Sequence, residues 1–255
     1  MISIKEKIIS DLRALGIEPS DTILVHSSLK SLGWVEGGAV TVIEALSESV
    51  SNGTLLMPSL SYQSVNKENP IFSVRNSPCC VGTIPETFRT YSGIGKKSGA
   101  DGVFRSVHPT HSVCARGVNA EKLTNRHYLD RTPVGENSPF RLMLEYGAKI
   151  LMLGCGLKPN TFMHGVEEAA GTPYVLKNDP EEISIEYENG SIEKNFYTGH
   201  NFDGVSQRYD RVSRVLDVTK SKILKADVYV IDAGKLWDAA AKKIKEEPWF
   251  FVDKK

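Results

Sequence analysis

The sequence predicts an α/β fold: a mostly parallel central sheet flanked by helices, with an antiparallel hairpin extension in the C-terminal part. Three observations carry this reading. Short apolar runs at residues 22–25, 54–57 and 149–153 alternate with helix-period segments, the pattern of buried strands joined by covering helices. The runs stop at His26-Ser27-Ser28, at Pro58 and at Gly154-Cys155-Gly156, residues that end a ladder or bear chemistry. Late in the chain, two segments at 183–188 and 192–197 flank Asn189-Gly190, the dipeptide of a tight antiparallel turn. A chain of 255 residues buries a large core and fits one domain.

Taken in order, Ile4, Ile8, Ile9, Leu12 and Leu15 recur at helical spacing, and Gly16 stands where a left-handed cap ends a helix. After the strand at 22–25, Gly37-Gly38 opens a helix with Val42, Ile43, Leu46 and Val50 on one face. Residues 59–80 have no periodicity, and a connection of that length reads as an active-site flap. A helix is expected at 84–88, an extended segment at 108–115, and a second helix at 138–146 before the strand at 149–153. Asn160 is placed to cap a helix running through Ala170. Residues 204–217 read as helical, 228–231 as the last strand, and 236–244 as a closing amphipathic helix. Trp249-Phe250-Phe251 is expected to pack back on the core, with a homodimer through such apolar surface left open.

Lys plus Arg and Asp plus Glu both total 31, so no net field points to nucleic acid or an anionic membrane as partner. The charged opening Met1-Ile2-Ser3-Ile4-Lys5-Glu6-Lys7 does not read as a signal peptide, and no run is long enough to span a bilayer. A cytoplasmic protein is expected. Cys79, Cys80, Cys114 and Cys155 have neither metal-binding spacing nor a disulfide framework, and read as reduced thiols.

Three constellations could carry chemistry. His26-Ser27-Ser28-Leu29-Lys30-Ser31-Leu32-Gly33 leaves a buried strand with small hydroxyl residues whose amides could face a phosphate, though it lacks Walker spacing. His164 and Glu167 are three apart on one helix face, so the carboxylate could orient the imidazole as a general base. Ser106-Val107-His108-Pro109-Thr110-His111-Ser112 sets polar groups in an extended segment. The odd spacing of His108 and His111 sends them to opposite faces there, which argues against a metal ion held by both without a turn. Each constellation has a plain alternative as a polar turn or a solvated helix face. Cys155 or Ser27 could instead serve a hydrolase, without a GxSxG elbow.

Several of these pieces occur in a telling order: Val25 to Gly38, Gly53-Thr54-Leu55-Leu56-Met57-Pro58, Ser106 to Ser112, Gly135-Glu136-Asn137-Ser138-Pro139-Phe140, Ile150-Leu151-Met152-Leu153-Gly154, and Asn160-Thr161 leading to His164 and Glu167. Together they resemble the aminoglycoside N3-acetyltransferase family between about residues 20 and 176. The resemblance implies a single acetyltransferase domain over 1–255 that moves an acetyl group from acetyl-CoA, without a metal, to the 3-amino group of an aminoglycoside 2-deoxystreptamine ring. It implies His164 as base, Glu167 as its partner and His26 nearby. Coenzyme A would lie along Ser27, Ser28, Leu29, Ser31 and Gly33, with help from Ser106, His108 and Thr110. Glu136, Glu168 and Asp203 could bind a cationic substrate. Beyond residue 176 the likeness thins to Gly199-His200-Asn201-Phe202 and Arg208-Tyr209-Asp210-Arg211-Val212, which leaves another amino sugar or small amine open as acceptor. A Cys/Ser hydrolase and a non-catalytic CoA-binding module are the remaining readings.

Overall fold

The computed structural model describes residues 2–90 and 102–255. The first half of the chain contains α1 (Ile4–Ala14), β1 (Thr22–Ser27), α2 (Gly38–Ser49), β2 (Thr54–Pro58), β3 (Ile71–Ser73), α3 (Thr83–Thr90), β4 (Phe104–Arg105), β5 (Val113–Gly117) and α4 (Ala120–Thr124). It continues with α5 (Pro139–Leu142), β6 (Lys149–Leu153), α6 (Phe162–Ala169), β7 (Glu181–Glu186), β8 (Ile192–Tyr197), β9 (Val205–Gln207), β10 (Lys220–Ile223), β11 (Ala226–Asp232), α7 (Ala233–Glu246) and β12 (Val252–Lys254). A reciprocal Ser3–Glu6 capping box opens α1, and Gly16 follows it at φ 79°, as its sequence predicts.

A seven-stranded sheet in the order β10-β11-β6-β1-β2-β5-β4 forms the centre. β1 runs parallel to both β6 and β2, and antiparallel strands extend the sheet on both sides of this trio. The central strands read as continuous apolar runs because both their faces are covered. Ile23, Val25, Leu55, Met57, Leu151 and Leu153 pack with α1, α2 and α3, whereas Leu24, Leu56, Ile150 and Met152 pack with α4 to α7. Alternation along β1 therefore turns His26 toward the layer that contains α6.

Several expectations need correction. The hairpin at 183–197 forms, as β7 and β8, but it does not extend the central sheet. It pairs instead with β3 in a separate three-stranded sheet. Its third strand lies within residues 59–80, the segment expected as an active-site flap, whose Leu60 and Tyr62 line a large cavity. The Arg105 guanidinium donates to the carbonyls of Ser59, Val74 and Ser77, and the Ser59 and Ser61 amides bond Ser112 and Thr110. Residues 204–217 are β9 followed by a 3-10 segment, Tyr209–Arg214, not an α-helix. The segment at 138–146 is α5 with a 3-10 turn after it. β11 is not the last strand, because β12 pairs with β9, pinned where Asp253 bridges Arg208 and Arg211. Phe251 is buried and Trp249 packs on Tyr174, so the C-terminal aromatic run folds back as expected. Among the described residues no helix is long and apolar enough to cross a membrane.

Candidate active site

β1 and β6 end side by side, and the chain after each turns sharply. Gly154 at the end of β6 has φ 76°, and a Cβ there would stand 2.8 Å from the Ser31 Cβ, so glycine lets the turn Leu29–Leu32 close over the strand end. The first turn of α6 lies beyond these ends. Between them is a cavity of about 770 Å³ whose wall includes His26, Ser27, His111, His164, His200 and Tyr209.

The chain has six histidines, and all are in or directly behind this wall. His164 and His200 lie nearly parallel, with ring centroids 4.7 Å apart and planes 16° apart. His111 meets both edge-on, at 5.7 and 4.5 Å. Behind it His108 stacks on His127 at 4.8 Å. Burial holds every one of these imidazoles neutral, with His26, His127 and His200 pushed down to about 3 and His108, His111 and His164 well below their usual range. A neutral imidazole is the form that accepts a proton. The Nδ1 atoms of His164 and His200, the Nε2 of His26 and the Oγ of Ser27 are buried without a hydrogen-bond partner. The groups that reach the cavity thus keep bonding capacity for a ligand.

Glu167 does not orient His164. Its carboxylate is fully buried and accepts the hydroxyls of Tyr174 at 2.8 Å and Tyr209 at 2.6 Å. Burial raises its carboxyl to about 7, against the lowering effect of the two tyrosines. Its link to His164 runs through Tyr209, whose ring meets the imidazole edge-on at 5.5 Å. The carboxylate that does hold a histidine is Glu168, at 2.7 Å from Nε2 of His200 and 2.8 Å from the amide of Val134. Asn160 does not cap α6 through its side chain, which is buried and unpartnered. Its carbonyl instead accepts the Met163 amide.

Residues 24–245 match the family described as aminoglycoside 3-N-acetyltransferase. The chain belongs to that family. Two curated relatives are an aminoglycoside N(3)-acetyltransferase III of Serratia marcescens, 36% identical over 66% of this chain, and the prophage-derived aminoglycoside N(3')-acetyltransferase-like protein YokD of Bacillus subtilis, 34% identical over 64% of it. These alignments span 65% and 64% of the relatives' own lengths. The crystal structure of YokD superposes with a TM-score of 0.81 at 29% identity, covering 98% of this chain and 96% of that one. AAC-IIIb bound to CoASH superposes with a TM-score of 0.80 at 25% identity, covering 96% of each chain. An AAC(3)-IVa variant in complex with apramycin does so at 0.76 and 27%, covering 96% of this chain and 93% of that one.

Within this aminoglycoside 3-N-acetyltransferase fold, the residues singled out from sequence separate into groups. His26, Ser27, His164 and Asp203 share the cavity. Ser28, Leu29, Ser31 and Gly33 form the adjoining turn, where Ser31 donates to Ser28 at 2.9 Å. Ser106 and His108 do not reach the cavity. Ser106 bonds His127 and the Val113 amide, and the His108 Nδ1 accepts the amides of Thr110 and His111. The chain turns at 109–111 instead of extending, which brings the His108 and His111 rings to 6.3 Å. Thr110 bonds the His111 Nδ1 at 2.9 Å and so fixes a ring of the wall. Glu136 and Glu168 line a different, smaller cavity of about 370 Å³ together with Asp130, Arg131 and Arg141. Sequence reasoning missed His200 and Tyr209 as site residues. Their only signal was the thin likeness around Gly199 and Arg208. Among the described residues no group of three or more His, Cys, Asp or Glu side chains is arranged to hold a metal ion.

Proposed function

We propose that the protein is an acetyl-CoA-dependent N-acetyltransferase that acetylates the 3-amino group of an aminoglycoside. One observation supports this above the others: the neutral, partner-free His164 on the wall of a cavity between two strand ends. The cosubstrate supplies an acetyl group activated as a thioester. His164 takes a proton from the acceptor nitrogen as it attacks, a contribution of about 10²–10⁴-fold for a placed general base. Tyr209, held by Glu167, fixes the His164 ring. Ser27 and His26, with free buried polar atoms at the end of β1, are suited to stabilise the developing oxyanion. The turn at Leu29–Leu32 and Lys158 on the rim are suited to the coenzyme arm and its phosphates.

The hydrolase reading lacks an activated nucleophile. Burial pushes the Cys155 thiol up to about 12, and Ser27 has no hydrogen bond to any base. The choice of acceptor has a competitor, because among the described residues the cavity wall has one carboxylate, Asp203, and one ammonium, Lys158. That balance suits a less charged amino sugar better than a polycation. Thiol release from acetyl-CoA over aminoglycosides and simple amino sugars, with the products located by NMR, decides between them. Acetylation at the 3-amino group supports the reading. Turnover only with simple amines moves the acceptor, and no turnover with any amine removes the reading.

A further inference from the structure

An acceptor amine with an ordinary pKa reaches the site as an ammonium ion, whose nitrogen must shed two protons to become an amide N–H. One of these protons ends on the sulfur of the released coenzyme. The other leaves as a free proton in every turnover. A neutral imidazole such as His164 has one basic nitrogen and can hold only one of them.

We infer that His200, held by Glu168, is a second catalytic base that takes the first of these protons, an assignment that rests on the transfer chemistry proposed above. The geometry is that of two proton acceptors side by side. His200 and His164 line the same cavity with parallel rings, and each has a buried Nδ1 without a partner. When the Glu168 carboxylate accepts from Nε2 of His200, Nδ1 of that ring is the bare lone pair. Two stacked imidazolium ions repel, so both rings cannot hold a proton uncompensated. His200 alone has a carboxylate in contact. The groups facing Glu168 are His200, Arg141 and the neighbouring carboxyls of Glu167 and Asp130, and those facing His200 are Glu168, His164, His111 and His108.

In sequence, the ammonium nitrogen gives its proton to Nδ1 of His200, leaving an imidazolium–carboxylate pair and a neutral amine. The amine nitrogen then bonds the acetyl carbon, the carbon–sulfur bond breaks, and the nitrogen's second proton passes to His164 and from there to the sulfur. His200 returns its proton to water once the product has left. Burial alone holds His200 down to about 3, so the ring takes up a proton only with the Glu168 carboxylate ionised at 2.7 Å beside it, and because burial raises that carboxyl to about 7, uptake is confined to the alkaline side of neutrality.

The test is the pH dependence of kcat/KM for His200→Gln and Glu168→Gln beside the wild type, on whichever acceptor the wild type acetylates. At neutral pH the expected losses are about 10²-fold for His200→Gln and about tenfold for Glu168→Gln. Both should shrink to within about threefold once the pH exceeds the pKa of the acceptor amine, because a neutral amine no longer needs His200. A deficit that stays constant across pH, or no deficit at neutral pH, overturns the assignment. If the wild type acetylates no amine, the transferase reading itself falls, an outcome distinct from either.

Discussion

Tyr209 donates its hydroxyl to Glu167 at 2.6 Å while its ring stands nearly perpendicular to the His164 imidazole, with centroids 5.5 Å apart. The tyrosine thus stands between the two residues that a three-residue helical spacing pairs on paper. Burial raises its hydroxyl well above the ordinary phenol range, and the bonded carboxyl helps to keep it protonated as a donor. Tyr209→Phe removes one of the two donors to a buried carboxyl and leaves the ring. The expected cost is about 1–3 kcal/mol of stability. A smaller loss in kcat than for His164→Ala should accompany it. Thermal unfolding together with initial rates checks both.

The spacing of His164 and Glu167 made the helix and its buried face legible, but not the partner of the carboxylate. That depends on Tyr174 and Tyr209, brought in by a turn and a 3-10 segment outside α6. The Glu168–His200 contact spans 32 residues and has no local period to reveal it. His26 was easier to place, because an apolar run that ends in histidine marks a strand end in a parallel sheet. β3 escaped notice since its three residues are held by pairing with β7, with no alternation of their own. The hairpin was read correctly from Asn189-Gly190, yet a turn dipeptide says nothing about the sheet that the hairpin joins.

Stability should depend steeply on acid. The six histidines have native values below the ordinary 6.5, so the unfolded chain binds protons that the folded chain refuses, and stability is lost as pH falls below about 6.5. Glu167 and Glu168 act in the opposite sense. Their native values near 7 lie above the ordinary 4.5, so they lose stability as pH rises from 4.5 to 7. Six groups outweigh two. Tm should climb between about pH 4 and 6.5 and level off above 7. A Tm that is flat across that interval would show that the histidines are not buried as neutral groups.

Cys155 faces the cavity, but its thiol is held up near 12 and its sulfur bonds the Gly156 carbonyl. Cys155→Ala should therefore retain activity within about threefold, and iodoacetamide should inactivate the enzyme slowly at neutral pH. Rapid stoichiometric inactivation at Cys155 would instead mark an activated nucleophile.

Gly33 adopts φ 81°, and a Cβ there would stand 2.8 Å from Cδ of Lys225. The flexible Lys225 chain can swing aside, so the cost of Gly33→Ala comes from the positive φ and should be about 1–2 kcal/mol of stability. Because the glycine ends the turn beside Ser27, the variant should also raise KM for acetyl-CoA more than it lowers kcat. Steady-state kinetics over acetyl-CoA concentration, with thermal melts, reads both effects.

The most direct measurement of the central claim is thiol release from acetyl-CoA by His164→Ala, with acetyl-CoA affinity and thermal unfolding measured on the same sample. The prediction is a kcat lower by about 10²–10⁴-fold with the fold and coenzyme affinity retained. A variant that folds, binds the coenzyme and turns over at the wild-type rate would contradict His164 as the base.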